Sequence, residues 1–356
     1  MKALITAGGR GTRLRPITHT RNKHLIPIAN KPILHYALEY VAEAGIRDVG
    51  IIVNADSDEV QTALGDGAQW GLRIRYIPQD APLGLAHCIK ISRDFLGDEP
   101  FVFYLGDNMV VGGIKRFVEE FKARGSNCHL TLSRVRDPER FGVPEIRGER
   151  IVAVEEKPRN PKSGYAVAGI YLYDNSVFEA VNAVKPSKRG ELEISDVHQY
   201  MLDHGSRVTF SEITGWWKDT GLPDDLLEAN RLILDHIEPR DNAAAKVEGN
   251  STLVGRVILE PGARVVNSNI RGPVIIGERT VIEDSYIGPF TAIHNDCAIR
   301  KSEVEFSIVL ASCVIEDIGF RIEGSLLGFD TRLVRARGKP RTHRFVIGDQ
   351  GTVEIA

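Results

Sequence analysis

Beyond residue 250 an aliphatic side chain returns every six residues. Leu253, Leu259 and Val265 stand six apart, as do Ile275, Val281, Ile287, Ile293 and Ile299, then Val309 and Ile315, then Leu327 and Leu333, with small and polar residues between. Such a period marks a parallel β-helix, in which each hexapeptide forms one side of a coil and buries its aliphatic residue inside. An irregular β-sandwich is the alternative that short apolar segments allow. Offsets of ten residues separate the blocks around Ile275 and Val309, and the charged Arg321 interrupts the last block. Loops are expected there, and a few coils at most.

The earlier part of the chain follows different periods. Residues 45–54, 72–79 and 100–108 read as strands, and the stretches 32–46, 57–64 and 83–96 as helices, the first with Ile33, Leu34, Ala37, Leu38, Val41 and Ala42 at helical spacing. This alternation predicts an α/β, Rossmann-like, mostly parallel sheet with helices on both faces, and ligands at the carboxyl ends of its strands. Residues 129–138, 150–158, 165–174 and 207–213 read as further strands, 177–184, 198–205 and 226–237 as helices, and GWWKDTG at 215–221 as a turn. Apolar periodicity stops in 238–249. A chain of 356 residues has room for two domains, and the boundary is placed to give 1–240 and 241–356.

At the N-terminus an apolar run, Ala3 to Ala7, ends in Gly8, Gly9 and Gly11. Glycines there let the backbone turn with positive φ and bring amides close to an anion, for which phosphate is the natural guest. Arg13, Arg15, Arg21 and Lys23 follow, with Pro16, Pro27 and Pro32 fixing the shape. GxxxxGK[ST] is absent, and Leu14 stands where GxGxxG needs its third glycine. The net charge is only −3, with both signs interspersed, so this cationic cluster is local and no nucleic-acid surface is expected. No signal-peptide core is present, no apolar run reaches the roughly 18 residues of a membrane span, and the four cysteines are widely spaced without CxxC. A cytoplasmic protein without membrane attachment, disulfides or zinc is expected.

The order strand, GG-x-G-T-R-L-x-P, Lys23 ten residues after Arg13, and then NKP resembles the signature loop of the sugar-nucleotide pyrophosphorylases, nucleotidyltransferases that act on sugar 1-phosphates. Within them it is most similar to the long form of the glucose-1-phosphate thymidylyltransferases. LGDN, EEKP, RFGVPEI, YAVAGIY, PKSGYAV and KRGELEISD carry the resemblance to about residue 237. The long form has a C-terminal left-handed β-helix, in agreement with the six-residue period.

The resemblance implies roles residue by residue. Gly8, Gly9, Gly11 and Thr12 would cradle the nucleotide, with Arg13 and Lys23 as catalytic cations on its triphosphate. Gln79 and Gly84 would read the base. Asp107 and Asp219 would hold Mg²⁺, although Asp107 alone equally fits a turn former. Lys157, which beside two glutamates also fits a solvated ion pair, would grip the phosphate of the sugar 1-phosphate. Glu156 would bond the sugar hydroxyls, and Gly142, Ala168 and Gly169 would line the same cleft. Two departures bear on base choice: His24 replaces the family's glutamine, and Pro82, Leu83 and Gly84 replace PDG.

The implied reaction is transfer from dTTP to glucose 1-phosphate, giving dTDP-glucose and pyrophosphate by Mg²⁺-dependent single displacement. UTP in place of dTTP, or a non-catalytic sugar-nucleotide sensor, are the alternatives, although a sensor is expected to lose one of the five charged residues kept here. An acyl-transfer β-helix would need a general base, and His294 is the one histidine in the clear repeats. The outer faces of the coil are left for packing and assembly, and a homo-oligomer is expected.

Overall fold

The computed structural model describes residues 1–238, 242, 244–339 and 344–354. The expected boundary between residues 240 and 241 lies outside the described residues. Contacts divide the chain into two compact units, one of Met1–Arg10 with Ile33–Asp219, the other of Gly11–Pro32 with Thr220–Ala356.

The first unit is built on β1 (Lys2–Thr6), β2 (Asp48–Asn54), β3 (Arg73–Gln79), β4 (Phe101–Leu105), β5 (Asn108–Val110), β6 (Cys128–Arg134), β7 (Gly142–Arg147), β8 (Arg150–Glu156), β9 (Tyr165–Tyr173), β10 (Val208–Glu212) and β11 (Trp217–Asp219). Seven of these form one sheet in the order β10-β6-β9-β4-β1-β2-β3. Only β9 runs against its neighbours, so the sheet is mostly parallel, as the alternation of strand and helix requires. Helix α1 (Ile33–Glu43) buries Ile33, Leu34, Ala37, Leu38 and Val41 along one stripe. Leu4, Phe101, Phe103, Leu130, Tyr171 and Tyr173 belong to the core that the sheet shares with its helices.

Two elements differ from expectation. Residues 142–147 form β7, paired antiparallel with β8, and the middle of GWWKDTG is the short strand β11, paired with β5. In β11 the large Trp217 is buried against a strand 107 residues earlier, where it stands opposite Val110. Its partner is thus supplied by tertiary structure, not by local pattern.

In the second unit the C-terminal residues wind into three parallel sheets of six, five and five strands, a left-handed β-helix. Val265, Ile282, Ile299 and Ile315 stack as one inward ladder, and Ile270, Ile287 and Val304 as another. The true spacing is six, six, five, so each coil takes 17 residues where Val265 meets Ile282 and Ile282 meets Ile299. A strict six-residue count therefore slips by one. It selects Ile275 and Val281, whereas Ile276 and Ile282 point inward. Nor does Arg321 break the ladder: it pairs outward with Glu303 and Glu305 while Ile322 takes the inward place.

The lost residue is taken up at corners with left-handed backbone, where Asn267, Asp284, Lys301 and Asp317 have φ of 46°, 48°, 46° and 57°. Asn and Asp tolerate that region best among residues with a side chain. Beside them a serine ladder satisfies the buried amides: Ser251 Oγ accepts from the Ser268 N–H at 3.2 Å, Ser268 Oγ from Ser285 at 3.0 Å, and Ser285 Oγ from Ser302 at 3.2 Å. Among the described residues no helix is long and apolar enough to cross a membrane.

Candidate active site

In the first unit the expected sites fall at strand ends and converge on one asparagine. Asn108 opens β5, three per cent exposed, directly after Asp107. Its Oδ1 accepts from the Trp217 indole at 2.7 Å and from the Gly169 N–H at 3.2 Å, and its Nδ2 donates to Asp107 Oδ1 at 2.9 Å. The Asn108 carbonyl accepts from Tyr104 at 2.8 Å. Both ends of the side-chain amide are thus engaged, and its Nδ2 ties it to Asp107. In the strand pairing Asp219, at the end of β11, stands opposite Asn108, the residue that follows Asp107.

Glycine is required at 169, because an added Cβ would lie 2.8 Å from Asn108 Oδ1 and 2.7 Å from Leu105. Ala168 and Gly169 sit where the register of β9 against β6 shifts between Val167 and Tyr171. Burial, and then the charges of Glu156, Asp107 and Asp219, hold the Tyr171 phenol well above its ordinary range.

Among the residues expected to hold the sugar phosphate, Glu156 pairs across the β7–β8 ribbon with Gly142. Ser195 donates to Glu156 Oε2 at 2.7 Å, and a Cβ at 142 would come within 2.6 Å of Ser195 Oγ. Lys157 has φ of 46° directly before Pro158, a position where extended backbone is normal. Strain of this sort persists where surroundings over-determine a residue. Here the Lys157 N–H donates to the Phe141 carbonyl at 2.9 Å, and the Phe141 ring meets Trp217 edge-on at 5.4 Å. Asp107, Asp219, Gly142, Glu156, Lys157, Ala168 and Gly169 are therefore joined by one chain of contacts.

Gln79 ends β3, with its Nε2 lying 3.1 Å from His87 Nδ1. Gly84 has φ of 100°, and a Cβ there would lie 2.5 Å from the Leu192 carbonyl oxygen. The close neighbour that demands glycine is the chain itself: Leu192 donates to the Leu83 carbonyl at 2.8 Å and accepts from Ala86 at 3.1 Å. Gly8 turns out of β1 against the Val53 carbonyl carbon, 3.2 Å from where its Cβ would be, and Gly9 is exposed.

Gly11, Thr12, Arg13 and Lys23 lie in the second unit. Gly11 has φ of 60°, and a Cβ on it would be 3.0 Å from the Cβ of Lys23, so the turn closes the loop on itself. Thr18 Oγ1 locks it by donating to the Gly11 carbonyl at 2.7 Å. Thr12 and Arg13 are exposed on the short turn 12–14. Lys23 opens the turn 23–25, where Asn22 Oδ1 caps the His24 N–H at 2.9 Å and meets His24 Nδ1 at 2.8 Å.

Two residues of this region were not singled out by sequence. One is Asn108, whose signal was an amide at the end of an otherwise apolar strand. The other is Arg189 in KRGELEISD, which reaches Glu193 at 2.8 Å and Glu156 at 3.3 Å. His294, by contrast, has one ring nitrogen tied to its own neighbour: burial lowers its pKa and its Nδ1 accepts from the Asn295 N–H at 2.8 Å. A cavity of about 660 Å³ on the β-helix, lined in part by Lys301, Tyr286 and Arg321, does not include it.

The chain belongs to the nucleotidyl transferase family, whose model matches residues 2–236. Over the whole of both chains it is 50% identical to the glucose-1-phosphate thymidylyltransferase of Streptomyces griseus. It is 38% identical, again over all of both chains, to the low-salt glycan biosynthesis nucleotidyltransferase Agl11 of Haloferax volcanii. Among solved structures, a UDP-glucose pyrophosphorylase complexed with UDP-glucose matches 66% of this chain and 99% of its own, with 26% identity and a TM-score of 0.59.

Proposed function

We propose that the protein transfers a thymidylyl group from dTTP to glucose 1-phosphate, releasing pyrophosphate and forming dTDP-glucose. The observation that carries this is the 50% identity, from end to end and through the β-helix, with the thymidylyltransferase of Streptomyces griseus. A UTP-dependent activity has weaker support, at 26% identity over 66% of this chain.

Both substrates are anions, and an oxygen of the sugar phosphate must approach the α-phosphorus of the triphosphate. Positive charge at fixed positions offsets that repulsion and holds the groups in line. Arg13 and Lys23 take the triphosphate, and Lys157 takes the phosphate of glucose 1-phosphate. Glu156, oriented by Ser195 and Arg189, accepts from the sugar hydroxyls. Asp107 and Asp219 suit Mg²⁺, which prefers one or two carboxylates with phosphate oxygens and water completing its octahedron; their places beside and opposite Asn108 support this. Bound there, the ion would neutralise the charge that develops on departing pyrophosphate. No side-chain nucleophile is required, so a single displacement follows. Gly8, Gly9, Gly11 and Thr12 are assigned to the phosphates, Gln79 and Gly84 to the base, and Gly142, Ala168 and Gly169 to the sugar.

A cytoplasmic setting accords with four buried free cysteines, which stay reduced there. A homo-oligomer is part of the same proposal, with exposed apolar residues such as Val254 and Phe320 on the β-helix available for contacts. The test crosses four nucleoside triphosphates with glucose, N-acetylglucosamine and mannose 1-phosphates, and measures pyrophosphate release. dTTP with glucose 1-phosphate is expected to give the highest kcat/KM. A higher value for UTP would replace the thymidylyl assignment, and no release from any pair would remove the activity.

A further inference from the structure

The loop that bears Arg13 and Lys23 is separated from the β-helix by about two hundred residues of sequence, yet the two form one compact unit. Three sets of contacts hold them. At the first, Pro27–Ile28 and Lys31–Pro32 form a two-residue hairpin with Ala29 and Asn30 at φ of 47° and 60°, the turn that favours Asn and Gly. The Asn30 side chain donates to the Ile293 carbonyl of the coil at 2.8 Å. Ala29 packs with Ile258, Ile275 and Ala292, an outward-facing row that includes the isoleucine displaced from the inner ladder, together with Leu234.

At the second, buried Asn230, on the helix Pro223–Leu234, ties both partners at once. Its Oδ1 accepts from the Ala29 N–H at 2.9 Å, and its Nδ2 donates to the Phe290 carbonyl of the coil at 3.0 Å. At the third, the Arg21 guanidinium lies 5.1 Å from the centre of the Phe329 ring, and Ile17 Cδ1 is 3.1 Å from where a Gly328 Cβ would be. Arg21 is two residues before Lys23, and Ile17 lies between Arg13 and Lys23.

We propose that the β-helix is a positioning element for nucleotide chemistry, in which Asn30, Asn230 and Phe329 set the place of the Arg13–Lys23 loop. This rests on the roles proposed for Arg13 and Lys23. It gives the C-terminal repeat a part in turnover beyond assembly: the coil acts as a rigid last for a loop rich in turns, and a displacement of about 1 Å in such a loop costs on the order of 10²-fold in rate.

The test uses the full chain. Asn30→Gly keeps the left-handed turn and removes only the amide that reaches Ile293. Phe329→Ala removes the ring under Arg21, and Phe329→Tyr restores it. Ile322→Ala is a control that hollows the coil without touching the loop. Kinetics with dTTP and glucose 1-phosphate are paired with hydrogen exchange of the amides at 22–28 and 101–105.

Asn30→Gly and Phe329→Ala are expected to lose about tenfold or more in kcat/KM for dTTP, and to exchange faster at 22–28 while 101–105 are unchanged. Phe329→Tyr should match the native chain, and Ile322→Ala should melt earlier with native kcat/KM. Native kcat/KM and native exchange in Asn30→Gly and Phe329→Ala would overturn the proposal, as would losses that track melting temperature across all four variants. If the native chain makes no sugar nucleotide, the assigned function fails, and the exchange arm still decides whether the coil holds the loop.

Discussion

The two compact units solve the same problem, burying aliphatic side chains, by opposite means. In the sheet unit, contacts are made between helices and strands of varied length, and the strand ends are left free to carry Asp107, Glu156 and Asp219. In the coil unit, each ladder repeats nearly every 17 residues, and the interior cluster among the described residues is made of small and aliphatic side chains. The first arrangement places chemically distinct residues in irregular positions; the second provides a regular outer wall. Stability and chemistry are therefore expected to respond to mutation in different units.

The largest expected effect lies in the sheet unit. Asp107→Asn and Asp219→Asn should each lower turnover by on the order of 10²-fold or more at ordinary Mg²⁺, raise the Mg²⁺ concentration needed, and leave the melting temperature near the native value. Excess chelator should stop the native chain altogether. Native turnover in either variant would separate the aspartates from the metal and break the division of labour.

Next comes the coil. Ile282 is fully buried in the inner ladder, and Ile282→Ala should destabilise the protein by roughly 2 to 5 kcal/mol, whereas half-buried Val281→Ala should cost under about 1 kcal/mol. Chemical denaturation of both variants measures this. Equal losses would return the register to the strict six-residue count.

That register shows what the sequence could and could not carry. The period announced the β-helix, but the corners remove one residue per coil, and no local signal distinguishes Ile275 from Ile276. Likewise the strand-and-helix order gave the parallel sheet, while β7 and β11 escaped notice because their partners come from the ribbon partner β8 and from β5 far up the chain. Motifs located Asp107, Lys157 and Gly142. Asn108 and Arg189 act by joining other residues, a role visible only once Trp217, Gly169, Glu156 and Glu193 are brought around them. The union of loop 11–32 with the coil was invisible for the same reason.

The smallest effect concerns pH and again sharpens the contrast, because it belongs to the sheet unit. Burial lowers the pKa of His198 to about 3, and burial with nearby Arg124 lowers that of His129 to about 4. Unfolded histidine titrates near 6.5, so below that pH the unfolded chain binds protons that the folded chain refuses. The stability these neutral rings contribute is present above about pH 6.5 and is lost as pH falls toward 4 and 3. His198→Gln, which keeps a partner for the Tyr173 hydroxyl now 2.6 Å from His198 Nε2, should flatten melting temperature against pH between about 6.5 and 4.5. An unchanged slope would show that His198 is not a source of the dependence.

One measurement bears on the central claim most directly: the stereochemistry of transfer from a single diastereomer of dTTP bearing sulfur at the α-phosphorus to glucose 1-phosphate. Direct in-line attack, with Arg13, Lys23 and Lys157 holding charge and no residue forming a bond to phosphorus, predicts a sugar nucleotide with inverted configuration at that phosphorus. Retained configuration would reveal a covalent nucleotidyl-enzyme and contradict the single displacement, and no product at all would contradict the activity itself.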